Sequence, residues 1–194
     1  VSFNSGNVVQ PPIQNLVKPG THTGYDFKTC LDESAGLFSM KSSGGGFDGN
    51  AAKGLPTNLN MVYLYDGETG LLSCVMEANY IRNLRTAAGA AIANNYLARK
   101  DAEIYFAFGT GRIGKAALRA TMRVRKLKEV YCFGWLEGEN DAFIAEMSKE
   151  FPELIFHGCE TPEEGARKAD IIVCVTLARK GAAINKEWLK PGTH

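Results

Sequence analysis

The sequence predicts an α/β protein whose second half is a doubly wound parallel sheet. Three observations predict it. Residues 101–118 hold an apolar run with strand character, Ile104 to Phe108, then Gly109-x-Gly111-x-x-Gly114, then residues at helix spacing. Beyond them, apolar β-branched runs alternate with helical stretches, the order that builds parallel strands joined by crossover helices. The composition, 45% apolar and 22% charged over 194 residues, is that of a globular chain with room for one large or two small domains.

Up to about residue 35 there is little helical period, and Pro11-Pro12, Pro19-Gly20 and Thr21-His-Thr-Gly24 predict short extended segments with turns. His22 in this polar stretch reads as a ligand or base, or as a solvated loop histidine. Ala35 to Ser43 is an apolar strand that ends on Lys41, and Gly44-Gly45-Gly46 predicts a flexible loop to Asn50, ahead of Gly54-Leu-Pro-Thr57. A lysine there is either a buried functional ammonium or a surface side chain whose stem covers apolar area, and spacing does not choose between them. Asn60 to Asp66 alternates as a strand with Met61, Tyr63 and Tyr65 on one face. Asp66-Gly67-Glu-Thr-Gly70 is a turn, and Leu71 to Met76 returns as the second strand of a hairpin.

From Glu77 the period becomes helical. Leu84, Ala87, Ala88, Ala91, Ile92 and Ala98 are expected on one face, with Asn95 its polar member. Arg85 and Thr86 stand at the front of this helix, where an arginine either reaches a phosphate or stays exposed. After the glycine turn, helices are expected over about Ile113 to Arg125 and Asp141 to Phe151, with strands at Val130 to Phe133, Leu154 to Phe156 and Ile171 to Val175. Thr161-Pro-Glu-Glu164 is a capping box with proline at the first helical position, opening a helix to Lys168. A short helix, Asn185 to Leu189, is stopped by Pro191-Gly192.

Chemistry concentrates at the glycine turn. Gly109 permits a tight turn, Gly111 lets the backbone approach a pyrophosphate, and Gly114 lets the helix pack on the strand; Thr110, Arg112 and Ile113 fill the turn between them. The following helix then points its free N–H groups and positive dipole end at the phosphates. The competing reading is a glycine-rich βα turn that binds nothing. An acidic residue about 20 positions beyond the glycines would favour NAD. Here the second strand ends in Gly134-Trp135, with Glu137 and Glu139 only later, while Arg112 and Lys115 add positive charge, so NAD and NADP both remain open. Trp135 either stacks on adenine or covers a loop.

A net charge of +1 implies no broad pull toward nucleic acid or membrane. No apolar run approaches the roughly 20 residues that span a bilayer. The five cysteines are odd in number and form no Cys-x-x-Cys pair, and Cys132 and Cys174 lie in strand runs where a thiol fills apolar space. A reducing, cytoplasmic compartment is expected.

With Lys41, Arg85-Thr86 and Gly109 to Gly114 in hand, the chain resembles the ornithine cyclodeaminase and mu-crystallin family. The matching stretches are Met40-Lys41-Ser-Ser, Asn50 with Gly54-Leu-Pro-Thr57, Leu64-Tyr-Asp66-Gly-Glu-Thr69-Gly70, Leu84-Arg85-Thr86-Ala-Ala88, Tyr96-Leu97-Ala-Arg99, the glycine turn, and Trp188-Leu-Lys-Pro-Gly-Thr-His194. The resemblance implies a Rossmann-like dinucleotide-binding domain over 101–194, incomplete at its C-terminus, and a smaller, incomplete α+β substrate and dimerisation domain over 1–100. It implies NAD or NADP as cofactor, a small amino-acid or imine substrate, hydride transfer at the α-carbon, and a homodimer. By the same resemblance Lys41 contacts the substrate carboxylate or the reacting imine, and Thr57, Arg85, Arg112, Ile113 and Thr176 contact the cofactor.

The departures set limits. Pro11-Pro12 is followed by Ile13-Gln14 where the family usually has a carboxylate-clamping arginine, Arg82 replaces a helix threonine, and Gly134 replaces the acidic end of the second strand. The segment after Thr176 reads Leu-Ala-Arg-Lys180, without the usual serine and proline. The family's catalytic aspartate lies beyond the Pro-Gly-Thr-His segment, so a piece of a longer enzyme is expected, one that keeps a dinucleotide site without turnover. Two other functions compete: a non-catalytic, mu-crystallin-like NADPH-binding protein, and a D-2-hydroxyacid-type dehydrogenase, whose turn Gly109-Thr-Gly-Arg-Ile-Gly114 also resembles.

Overall fold

The computed structural model describes residues 5–176 and 183–194. The chain divides into two compact units, Val1–Arg82 and Asn83–His194. The sequence reading placed the boundary after residue 100; the long helix that crosses the division belongs, for most of its length, with the second unit.

In the first unit the strands are β1 (Val8–Val9), β2 (Gln14–Val17), β3 (Gly24–Asp32), β4 (Leu37–Gly45), β5 (Leu59–Asp66) and β6 (Leu72–Glu77). They form an antiparallel sheet in the order β1-β3-β4-β5-β6, with β2 also on β3. The expected β5–β6 hairpin is present. Asp66 Oδ1 accepts from the N–H of Glu68 and Thr69 and from the Thr69 hydroxyl, and these bonds, led by the hydroxyl, hold the Asp66 carboxyl below its usual range. The front of the chain is more regular than expected, because β3 pairs with β4 along all nine of its residues.

The glycine run also differs from expectation. Gly44 and Gly45 continue β4, opposite Tyr25 and Gly24, rather than opening a flexible loop. A Cβ on Gly44 would lie 2.8 Å from the Tyr25 ring, so glycine here makes room for an aromatic ring. The chain leaves the sheet at Gly46, whose φ of 74° suits glycine, and makes a 3-10 turn over Asp48–Lys53.

The second unit is built on β7 (Ile104–Phe108), β8 (Glu129–Phe133), β9 (Ile155–Gly158) and β10 (Ile171–Cys174), all parallel, in the order β10-β7-β8-β9. Helices α2 (Arg112–Thr121), α3 (Glu139–Glu150) and α4 (Pro162–Lys168) are the crossovers. Alternate residues of β7 feed two cores. Tyr105 and Ala107 join Leu118, Val130, Cys132, Phe143 and Met147, while Phe106 and Phe108 join Phe133, Cys159 and Ala166. Burial on both faces is why β7 reads as a continuous apolar run. Burial also pushes the Cys132 and Cys159 thiols up to about 12, so both stay protonated filler. Cys174, expected to be filler as well, is exposed instead.

Helix α1 (Asn79–Leu97) precedes β7. Its buried residues are Ala87, Ala91 and Asn94, with Ala98 just beyond, whereas Leu84, Ala88 and Ile92 of the expected face are exposed. The packed stripe was disguised by Asn94, a polar residue buried because its Nδ2 donates to Thr121 Oγ1 of α2 at 2.8 Å. Asn95, the polar member expected on that face, is exposed and offers its backbone carbonyl instead. The Arg125 guanidinium donates to the carbonyls of Asn95, Ala98 and Arg99, placing a cation on the orphan carbonyls that end α1. α2 ends at Thr121 rather than running on to Arg125 as expected, the backbone tightening there into bonds from the Arg123 and Val124 N–H groups to the Ala120 and Thr121 carbonyls.

Asp170, just ahead of β10, is the main polar anchor of this unit. Its carboxylate accepts from Arg99 and Lys190 at 2.9 Å, and from the N–H groups of Glu103 and Ile104 at 2.9 and 3.0 Å. Burial alone would raise its pKa, but Lys190 and the two backbone donors outweigh it and bring it down to about 2. A carboxylate depressed in the folded state stabilises the fold above its unfolded pKa of about 4 and loses that contribution as pH falls through the folded value. Comparing urea midpoints of wild type and Asp170→Asn from pH 7 to pH 2 should show a gap of about 2 kcal/mol at pH 7. The gap should close between about pH 4 and pH 2; a constant gap would mean that the carboxylate's charge is not what matters.

Candidate functional site

The order of the second sheet reverses at β7. From β7 the chain steps outward to β8 and β9, then returns to the other side of β7 as β10. In open α/β sheets a crevice forms where two neighbouring crossovers run opposite ways, outside the carboxyl ends of the strands. The residues at those ends are Gly109 after β7, Gly134 and Trp135 after β8, and Val175 and Thr176 after β10.

Each glycine of the turn has a distinct spatial reason. Gly109 has φ 113°, and a Cβ there would lie 3.1 Å from the Thr176 nitrogen. A Cβ on Gly114 would come within 1.9 Å of the Gly109 carbonyl oxygen, so only glycine lets α2 sit this close to the end of β7. A Cβ on Gly111 would meet nothing within 4 Å. Gly111 is the N-cap of α2, and no side chain caps that helix end. A close-packed first and third glycine, an open second one and an uncapped helix start fit a diphosphate group.

The structure gathers Gly109, Thr110, Gly111, Arg112, Ile113, Gly114 and Thr176 around the ends of β7 and β10. Thr110 is buried, Ile113 half-buried and Arg112 exposed at the first position of α2. Arg85 is exposed on α1. Lys41 and Thr57 belong to the first unit. Lys41 is half-buried in the body of β4, between Lys28 of β3 and Val62 of β5, and the strand continues past it. Thr57 is exposed in the segment after the 3-10 turn, which Asn50 braces by donating to the Pro56 carbonyl at 2.7 Å. His22 is exposed and pairs with Asp48. Leu-Ala-Arg-Lys180 lies outside the described residues.

Around these strand ends Trp135 and Lys115 carried a signal in the sequence, whereas Asn140 carried none. Trp135 Nε1 donates to Thr176 Oγ1 at 3.0 Å, joining the loops after β8 and β10, and its ring lies edge-on to Phe133. Asn140 accepts from the Gly134 N–H and donates to the Cys159 carbonyl, both at 2.9 Å, and so ties the ends of β8 and β9. Lys115 is engaged by Glu146 of α3, and Arg119 by Glu146 and Glu150. Among the described residues there is no group of His, Cys, Asp and Glu suited to a metal, and no helix long and apolar enough to cross a membrane.

Parallel strand order, glycine turn and helix placement together define a Rossmann-like α/β protein. The ornithine cyclodeaminase/mu-crystallin family model matches residues 29–194, and the chain belongs to that family. It is 30% identical over 188 residues to an uncharacterised cyclodeaminase of Sinorhizobium fredii, covering 96% of this chain and 56% of that protein. Among solved structures it is similar to the Thermococcus litoralis Delta(1)-pyrroline-2-carboxylate reductase in complex with NADH and L-proline, with TM-score 0.91 and 26% identity over 100% of this chain and 59% of that one. It is also similar to an archaeal alanine dehydrogenase dimer with bound NAD, with TM-score 0.86 and 30% identity over 99% of this chain and 57% of that one. The chain therefore spans a little over half the length of these relatives.

The packing of the turn predicts opposite outcomes for two similar substitutions. Gly114→Ala forces backbone apart and should cost at least about 3 kcal/mol or prevent folding. Gly111→Ala enters open space and should shift stability by under about 1 kcal/mol. Thermal melts of the two variants check this; equal effects would count against the packing described.

Proposed function

We propose that this protein binds NAD(H) or NADP(H) at the ends of β7 and β10, and exchanges hydride with the α-carbon of an amino acid or its imine. The observation that carries the first half is the turn, in which Gly114 packs against Gly109 while Gly111 and the start of α2 stay open. The relatives solved with NADH and NAD support the cofactor class. The second half rests on family membership and on the L-proline of the Thermococcus complex. A nicotinamide, when bound, supplies the hydride chemistry.

On this reading Gly109, Thr110, Gly111, Arg112, Ile113 and Gly114 hold the diphosphate region, and Thr57, Arg85 and Thr176 make further cofactor contacts. Lys41 holds the substrate carboxylate or stabilises charge at the reacting carbon, which suits a lysine fixed in the body of a strand rather than on a loop. The second unit then serves the cofactor, and the first serves substrate and dimer formation. The archaeal alanine dehydrogenase dimer supports a homodimer. The five cysteines, all free, fit a reducing, cytoplasmic setting.

Titrating NADH and NADPH into the chain while following nicotinamide fluorescence tests the cofactor site. Saturable binding that is lost in Gly111→Trp is expected, and a flat wild-type titration would overturn the reading. A panel of α-amino acids, offered with oxidised cofactor to this chain and to a protein extended to the relatives' length, tests the chemistry. In whichever form turns over, Lys41→Met should lower kcat/KM at least about a hundredfold with cofactor affinity unchanged. Tight cofactor binding with no turnover in either form would favour a non-catalytic nucleotide-binding protein, the reading that Ile13-Gln14 after Pro11-Pro12 supports.

A further inference from the structure

The end of the second strand in a dinucleotide fold ordinarily carries an acidic side chain that accepts hydrogen bonds from the adenosine ribose hydroxyls. In this chain that place, directly after β8, is Gly134, which has no side chain. The space beside it is filled from elsewhere. A Cβ built on Gly134 would lie 2.5 Å from Glu139 Oε2 and 2.6 Å from Thr110 Oγ1. Within an aspartate, the carboxylate oxygens stand about 2.4 Å from their own Cβ. Glu139 therefore puts a carboxylate oxygen about as far from the Cβ position at 134 as an aspartate there would put its own. It does so from the first turn of α3, next to a threonine of the glycine turn.

We propose that Glu139 is the ribose-hydroxyl acceptor of this site, and that its charge makes the site select NAD(H) over NADP(H). The inference rests on the dinucleotide reading above. Three features hold the side chain in place. Gly138, with φ 78°, turns the chain sharply into α3. The Leu136 N–H donates to Glu139 Oε2 at 3.1 Å. Asn140, the next residue, anchors the Gly134 N–H through its own side chain. The absence of a Cβ at 134 is what admits the carboxylate, so Gly134 and Glu139 form one device: the strand end gives up its side chain, and the helix start supplies the acid. A 2′-phosphate brought to this carboxylate meets like charge; of the cations of α2, Lys115 and Arg119 are engaged by Glu146 and Glu150, while Arg112 stands exposed at the helix's first position, beside the glycine turn where the diphosphate would lie.

A purely structural part for Glu139, as an acidic residue favoured at a helix N-terminus, predicts no discrimination between the cofactors. Glu139→Gln separates the two, since its amide oxygen can still accept from Leu136 while the charge is gone. NADH and NADPH dissociation constants would be measured by fluorescence for wild type and Glu139→Gln, with circular dichroism confirming the fold. The wild-type chain should bind NADH at least about tenfold more tightly than NADPH, and the variant should lower that ratio by about tenfold. Displacement of NADH by ADP-ribose and by its 2′-phosphorylated form needs no variant; the 2′-phosphate should weaken competition, and less so in high salt. A wild-type preference for NADPH, or a ratio unchanged by Glu139→Gln, would overturn the role of Glu139 and leave the dinucleotide site standing. Failure of both cofactors to bind the wild-type chain would overturn the dinucleotide reading, and this inference with it.

Discussion

The second unit depends on one close approach, the start of α2 against the end of β7. A single Cβ on Gly114 would overlap the Gly109 carbonyl, so the register of helix on strand is fixed by what is missing rather than by an attraction. Two consequences follow from that one constraint. The helix axis is aimed past the strand end, so its uncapped N–H groups face the crevice at the sheet's reversal point. The same packing carries α2 down over the sheet, where Ala117, Leu118 and Thr121 are buried and Thr121 meets Asn94 of α1.

Polar groups then hold this arrangement at the opposite end of the strands. Asp170 ties the start of β7 to Arg99 and Lys190, and Arg125 occupies the carbonyls that end α1. These bonds satisfy buried or half-buried groups whose isolation would cost more than the bonds contribute. The chain also uses the far edge of β10: His194 donates to the Asp170 carbonyl and accepts from the Ile172 N–H, the alternation of a parallel ladder. Functional and structural polarity thus separate along the strand axis, with the amino ends anchored by charge and the carboxyl ends left to the crevice.

What was legible in the sequence was what local chemistry decides. β7, the glycine turn, the Thr161 cap and the Asp66 turn each carry their cause within a few residues, and each stands where the spacing put it. What was not legible depended on a distant partner. Gly44 and Gly45 read as a loop because nothing local announces the Tyr25 ring that needs the space. The buried stripe of α1 was misjudged because a buried asparagine looks like a surface residue until Thr121 is opposite it. Cys174 read as filler because its strand is apolar, although it is the last residue of β10 and is exposed there. Lys41 and Arg85 stood out by position and Thr57 by resemblance alone, whereas the parts of Trp135 and Asn140 arise from bonds between segments far apart in sequence.

The charges around the turn illustrate how a near-neutral chain can still present a polarised site. Lys115 follows the glycines closely enough to read as charge near a phosphate, and Arg119 lies one turn further along α2. In the fold they face α3, where the Lys115 and Arg119 bonds hold the Glu146 carboxyl below its usual range. Such exposed pairs contribute little stability each. Their effect is on where the potential lies, because a cation paired along the α2–α3 seam is largely cancelled within a Debye length. What remains at the turn is Arg112 at the head of α2, together with the helix's own positive end, and across from them the Glu139 carboxylate beside Gly134. A positive zone next to the turn and a negative one at the end of β8 is the distribution that a diphosphate joined to an uncharged ribose would match, and a phosphorylated ribose would not.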